Sequence, residues 1–382
     1  MTANDWDVVI VGGGLGGLSL AVEFAQPEFA HLKVLVLEKR AAYKRDRTWS
    51  YWHTQKHRYS GLERKRWNSW RLSFQGSNAE HHGASAYCTM DADAFYTFAV
   101  AQIALAPNIQ LTMMSDVRDV VPGDSPSVIL ADGKVLSAAW VMDGRPNPAP
   151  LANSLCQHFE GWEIETDSDC FDDSVVDLMD FQAVTAGLHF LYVLPYGPRK
   201  ALVESTWMSE FSHQPNYASE LRDYLQTRFG ITEYKCIYIE RGCLDLQART
   251  RPPSALNGSG KVVALGKAAG TLRASTGFAF LETIAEAKRI ARCFSGVALA
   301  DVRVPPYRRD WLDAWMDKIF CDGIKADWRR APEFFMAMFK GVSANTWVSF
   351  LSGRPSLAQR LQVSLQLPKL HFLRAVRRVL VG

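Results

Sequence analysis

The residues whose types and spacing most directly state a chemistry are three glycines and a glutamate near the start of the chain. Gly12, Gly14 and Gly17 form a GxGxxG turn directly after the apolar run Val8-Val9-Ile10-Val11, and Leu18 to Phe24 continue at helical spacing. Gly12 permits a tight turn, Gly14 lets the backbone approach a pyrophosphate, and Gly17 lets the helix pack close on the strand. The helix N-terminus then offers free N–H groups and a positive dipole to an anion. A second apolar run, Val34 to Leu37, ends at Glu38, where a carboxylate can accept hydrogen bonds from both ribose hydroxyls of an adenosine without a 2′-phosphate. A lone glycine turn is an ordinary connection, whereas strand, turn, helix, strand and terminal glutamate in order describe a dinucleotide pocket. The motif fits NAD or FAD, and its place at the start of the chain favours FAD.

Three more blocks carry side chains suited to a site: Arg47-Thr48-Trp49-Ser50-Tyr51-Trp52, Asp143-Gly144-Arg145, and Leu188 to Tyr196 running into Ala201 to Thr206. Trp49, Tyr51 and Trp52 can offer π-faces to a cation or simply pack as aromatics. Arg47 and Arg145 suit a pyrophosphate, an internal carboxylate or ordinary surface pairing. Asp143 stands either beside a cofactor, since ligands collect outside strand carboxyl ends, or in a plain Asp-Gly turn.

The elements that must position these residues follow from periodicity. Lys39 to Trp70 reads as a polar loop reaching over a cofactor, Asp91 to Ala106 as a helix and Ile109 to Met113 as a strand. Ser127 to Leu136 is a hairpin with an Asp132-Gly133 turn, leading into a strand that ends at Asp143. Glu160 to Tyr196 and Ala201 to Trp207 alternate as an antiparallel sheet, and Tyr217 to Arg228 is helical. At Lys261 to Gly270 the chain rejoins the first sheet before a helix from about Thr276 to Cys293. The expected fold is therefore α/β with an α+β second unit. A Rossmann-like domain with a central parallel sheet takes residues 1–75, 107–150 and 255–300. An antiparallel substrate domain takes 76–106 and 151–254, and a helical region takes 301–382.

Composition limits the function. Lys and Arg total 43 against 40 acidic residues, a net charge of +3, so no long-range attraction to nucleic acid is indicated. The seven cysteines show no CxxC or zinc spacing, so no metal site is expected and most of the thiols should be buried, reduced and structural. No apolar run approaches the ~20 residues of a membrane span. With the first strand beginning almost at once, no signal peptide is expected and the protein should be cytoplasmic, at most attached to a membrane surface.

The three blocks, together with Gly266 to Phe280, resemble in order and spacing the bacterial flavin-dependent lycopene cyclases. That family carries a Thr-Trp-Ser segment, an Asp-Gly-Arg strand end, a Phe-Val-Tyr-x-Leu-Pro block with an Ile-Glu-Asp-Thr element behind it, and a late Thr-Gly-Tyr. The resemblance covers most of the chain to about residue 290. It implies a flavoprotein-hydroxylase-like fold and a redox-neutral cyclisation of an acyclic carotenoid such as lycopene to a β-ionone end, requiring reduced FAD, with NAD(P)H or another donor as reductant. Gly266, Gly270 and Gly277 match its third flavin-binding region. Lys267 stands where related hydroxylases place Asp, a departure shared with cyclases, while Arg273 and Ala274 depart from the cyclase His and Pro.

Glu204 matches the family's acidic residue. Protonating an alkene needs a carboxylic acid that stays protonated, and burial among Leu202, Val203 and Trp207 would raise its pKa in that direction; as a sequence feature alone it reads more readily as a solvated strand residue or salt-bridge partner. Tyr192, Trp49, Tyr51 and Trp52 are the implied substrate contacts. The tail from Leu367 is a basic amphipathic helix that suits a membrane interface or packing on the protein. The competing classes are a redox flavoenzyme such as a monooxygenase, halogenase or polyprenyl reductase, and a non-catalytic lipid or carotenoid carrier that keeps FAD structurally.

Overall fold

The structure, a computed structural model, describes residues 5–246 and 260–381. The expected boundary at 254–255 lies outside the described residues. Strands β1 (Trp6–Val11) and β2 (Val34–Leu37) are Val/Leu/Ile runs buried on both faces, as parallel strands under helices require. They pair with β6 (Ile109–Thr112), β9 (Val135–Asp143) and β15 (Val262–Ala264) in the parallel order β6-β2-β1-β9-β15. The hairpin strands β7 (Val117–Val121) and β8 (Ser127–Leu130) extend the sheet antiparallel along the first half of β9. Val8, Ile10, Val34 and Val36 face one core with α1 (Leu15–Phe24), α2 (Ala92–Ala104) and α4 (Phe280–Arg292), while Val9, Val11, Leu35 and Leu37 face Val128 and Leu136. The period of two thus splits each run between two cores.

The second sheet follows the order β14-β10-β13-β12-β11-β4-β5-β3. Its strands are β3 (Thr48–Trp52), β4 (Lys65–Phe74), β5 (Ser77–Asp91), β10 (Leu155–Glu165), β11 (Val175–Gln182), β12 (Leu188–Gly197), β13 (Lys200–Glu210) and β14 (Lys235–Asp245). All neighbours are antiparallel except β11 and β4. On one face Leu191, Val193, Ala201 and Val203 pack against α3 (Tyr217–Phe229). On the other, Phe190, Leu194, Leu202 and Met208 meet the C-terminal helices α5 (Trp311–Ala326), α6 (Ala331–Gly341), α7 (Ala344–Leu351), α8 (Leu357–Leu365) and α9 (Lys369–Val381).

Three expectations are corrected. Lys39 to Trp70 is not one loop, for it contains β3 and the start of β4. The latter exposes charged residues and buries Trp67 and Trp70, a half-covered strand whose polar face masked the pattern. Residues 48–74, expected with the nucleotide unit, hydrogen-bond into the second sheet, while α2 sends Phe95, Ala99 and Ile103 into the first core. Periodicity identifies a strand or helix without naming its non-local partner. The helix expected from Thr276 begins at Phe280, because the Arg273 N–H bonds the Phe278 carbonyl at 2.9 Å and holds the preceding loop.

All seven cysteines are free, with Cys88, Cys156 and Cys321 buried and Cys236 and Cys243 exposed, so fewer are interior than expected. No helix among the described residues is long and apolar enough to cross a membrane.

Candidate active site

At the C-terminal edge of β1 the glycine turn has the geometry its residues imply. Gly12 adopts φ +95°, and a Cβ on Gly17 would lie 1.9 Å from the Gly12 carbonyl oxygen, so α1 packs too close for any side chain there. A Cβ on Gly14 meets nothing within 4 Å, and no side chain caps α1 at that residue. The first-turn N–H groups therefore face an open cradle. The buried Glu38 carboxylate accepts from Gly13 N at 2.8 Å and from Arg40 N and Nη2 at 2.8 and 2.9 Å. Burial opposes its charge, but Arg40 holds it below the ordinary carboxylate range.

Asp143 closes β9 beside this turn, and its two oxygens accept Nε and Nη2 of Arg145 at 3.0 and 2.9 Å. Arg145 thus pairs with an internal carboxylate, one of the roles open to it. Arg47 pairs with Asp46 at 3.2 Å and is half exposed. Gly266 lies against the start of α1, 3.5 Å from a Cβ placed on Gly16. After Gly270 the loop is tied to α5 by buried Arg273, whose Nη2 meets Asp317 at 3.0 Å and whose Nη1 donates to the Phe350 carbonyl. The residue that departs from the cyclase pattern is thus a structural anchor. Gly277 then sits on the second sheet, where a Cβ would be 2.7 Å from Gln157 Oε1 and 2.9 Å from Leu244 Cδ1.

On that same face, cross-strand register lines up Tyr192 on β12, Glu204 on β13, Gly161 on β10 and Glu240 on β14. Directly paired residues share a face, so this is one row of side chains. Glu204 is buried, with Thr206 Oγ1 donating to its Oε1 at 2.6 Å. Burial first, and the Glu240 charge second, push its pKa up to about 8. Glu240 is also buried; Thr48 Oγ1 and the Tyr238 hydroxyl donate to its Oε2 at 3.0 and 3.2 Å, and burial moves its pKa up to about 7.

The aromatic strand β3 divides by period two. Trp52 faces Tyr87 and Phe278 at ring distances of 4.6 and 5.6 Å, and the Tyr87 hydroxyl meets that of Tyr192 at 2.9 Å. Trp49 and Tyr51 point the other way, against Phe95 and Phe280 at 5.3 and 4.5 Å. Trp52 and Tyr192 therefore join Glu204, while Trp49 and Tyr51 pack beneath. Tyr87 and Glu240 were missed in the sequence, and Thr48 and Ser50 stood in the Arg47–Trp52 block without a role of their own. Alternation in Thr48-Trp49-Ser50-Tyr51-Trp52 was the available signal for the latter two; nothing local marks the others.

The arrangement offers an anion cradle at the glycine turn and, on the second sheet, a buried carboxyl near aromatic side chains whose burial raises its pKa, with the Gly270–Gly277 loop running between them. The model of a family described as "Lycopene cyclase protein" matches residues 7–377. A "Lycopene beta-cyclase" of Paracoccus sp. (strain N81106 / MBIC 01143) is 25% identical over 399 residues, covering 97% of this chain and 96% of that protein. Among solved structures, the flavin-dependent brominase Bmp2 aligns at TM-score 0.66 and 12% identity over 98% of both chains. Aklavinone-11 hydroxylase, solved with FAD and aklavinone, aligns at TM-score 0.56 and 15% identity over 90% of this chain and 70% of its own. These two show a shared flavoprotein fold. With a family match along almost its whole length, the chain belongs to the lycopene cyclase family.

Proposed function

We propose that this protein binds FAD in the glycine-turn cradle and cyclises the end of an acyclic carotenoid such as lycopene to a β-ionone ring, without net redox change. The observation that carries the reading is Glu204, a carboxyl held protonated at neutral pH among Tyr192, Thr206 and Trp52's aromatic partners in a chain of this family. Gly12, Gly14, Gly17, Gly266, Gly270 and Gly277 would let the cofactor lie close to the backbone, with Glu38 on the ribose and the Asp143–Arg145 pair fixing the strand end beside it. Bound and reduced, with NAD(P)H as the donor, FAD would supply negative charge that stabilises a developing carbocation.

Glu204 gives its proton to the terminal double bond, the distal alkene's electron pair forms the ring C–C bond, and loss of a proton leaves the ring double bond. The product is an isomer of the substrate. Delivery from a membrane belongs to the same reading. Leu357, Leu361 and Leu365 on α8 and Leu370, Leu373 and Leu380 on α9 are 55–76% exposed, with Lys369, Arg374 and Arg377 nearby. Fold likeness to halogenases and hydroxylases supports a second reading, an oxidation of a polyene or aromatic substrate.

An anaerobic assay with photoreduced FAD and lycopene in vesicles separates the two. The cyclase reading expects cyclic product of unchanged mass without oxygen. Product that forms only with oxygen uptake and gains an oxygen atom or a halogen would replace it by the redox reading.

A further inference from the structure

We propose that Glu240 is the proton acceptor of the ring closure, forming with Glu204 a carboxyl pair across Gly161. The inference rests on the cyclase reading and assigns the step that Glu204 alone leaves open: where the departing proton goes.

The pair is built by register and by a missing side chain. Gly161 on β10 is the cross-strand partner of both Glu204 and Glu240. Their backbones are therefore two strand spacings, about 10 Å, apart, and both side chains rise from the same face. A Cβ on Gly161 would come within 3.3 Å of Glu240 Cγ and 3.5 Å of Glu204 Cβ. Glycine adds no side chain of its own between the two carboxyl groups, and the nearest atom to that position is Leu202 Cδ1 at 3.2 Å.

The partners of each carboxyl fit different duties. Glu204 accepts only the Thr206 hydroxyl, on Oε1, and Glu240 only Thr48 and Tyr238, both on Oε2. Among the described residues Glu204 Oε2 and Glu240 Oε1 accept no hydrogen bond. Among the described residues no cation forms an ion pair with Glu240: the Arg45 charge acts on it from a distance, but Arg45 lies over the Tyr238 ring at 3.8 Å and pairs with Glu163 at 2.6 Å and Asp91 at 3.3 Å. Two hydroxyl donors support a negative charge on Glu240 without removing its basicity, whereas one supports Glu204. Neighbouring buried carboxyls resist ionising together, so between about pH 7 and 8 the pair holds one proton. Burial places it first on Glu204, in keeping with values of about 8 and about 7.

The step balances. The alkene electrons take the Glu204 proton to form a C–H bond, and the second alkene forms the ring C–C bond. The C–H bond next to the resulting cation then breaks, its electrons close the ring double bond, and the proton passes to Glu240. The pair has exchanged its proton, which returns across the Gly161 gap before the next turnover. Nothing is oxidised or reduced.

The holoenzyme with reduced FAD and lycopene in phosphatidylcholine vesicles, run in D2O, tests this. Wild type should place one solvent deuterium in each ring. Glu240→Gln, with FAD content unchanged, should lose on the order of 100-fold in ring formation yet still put deuterium into recovered lycopene, because protonation by Glu204 persists and the cation reverts. Glu240→Asp should retain more ring formation than the amide. Ring formation by Glu240→Gln within threefold of wild type overturns the proposal, as does parallel loss of ring formation and exchange in a folded flavoprotein. A wild type that forms neither ring nor deuterated lycopene contradicts the cyclase reading as well.

Discussion

The phenolic oxygens of Tyr87 and Tyr192 meet at 2.9 Å, joining β5 to β12 at the residue that pairs with Glu204. Strands distant in sequence are thereby fixed around the acid, with Ser50 bonding the same phenols. Tyr192→Phe should cost about 1 kcal/mol in urea unfolding, since buried Tyr87 loses one of its two hydroxyl partners and keeps Ser50. It should also slow ring formation several-fold with FAD content unchanged. An unfolding midpoint equal to wild type would show that the phenol pair positions nothing.

Glu204 makes stability fall with rising pH from about pH 4.5 and activity fall above about pH 8. Its folded pKa of about 8 exceeds the ordinary 4.5, so the folded protein holds a proton that the unfolded chain releases. Its contribution is complete below about pH 4.5 and is lost as the pH climbs to about 8, on the order of 1 kcal/mol per pH unit. Glu240, Tyr87, Tyr192 and Tyr217 surround it electrostatically, and Glu240 adds a slope of the same sign up to about pH 7. Glu204→Gln should therefore gain thermal stability relative to wild type across this range, and wild-type cyclisation should decline above pH 8. A melting difference constant with pH would contradict the assignment.

Glu163 shows the opposite sign. Burial would raise its pKa, but hydrogen bonds from Arg64 and Arg45 at 2.7 and 2.6 Å overcome burial and hold it at about 2. Its contribution is present above about pH 4.5 and disappears as the pH falls through 2. Glu163→Gln leaves two largely enclosed guanidinium groups without their carboxylate and should cost ~3–5 kcal/mol at pH 7, read by urea unfolding. A loss below 1 kcal/mol would show that Asp91 and solvent suffice.

Reversing the apolar surface of α8 and α9 should release the protein from lipid. Leu361→Glu with Leu373→Glu replaces residues 60% and 62% exposed, so folding and FAD content should be unchanged. Binding to anionic vesicles, measured by sedimentation, should fall at least tenfold. Equal binding by the double variant would remove this face from membrane attachment.

The sequence made local features legible and non-local ones obscure. Gly12, Gly17 and Glu38 were readable because turn, helix packing and strand end lie within one βαβ unit, and β12 and β13 were readable as strands from their alternation. The side of β3 that meets the acid was recoverable from alternation alone. Glu240 was not, because its role depends on register with Gly161, 79 positions earlier, and on a sheet order that no local pattern records. Arg273 looked like a departure from a family motif until its contact with Asp317 showed it anchoring the loop.

The central claim is that Glu204 supplies the initiating proton. The most direct measurement is anaerobic single-turnover cyclisation of lycopene by Glu204→Gln carrying a full complement of reduced FAD. No detectable ring formation and no solvent deuterium in recovered lycopene are expected. Turnover within a few-fold of wild type would contradict the claim.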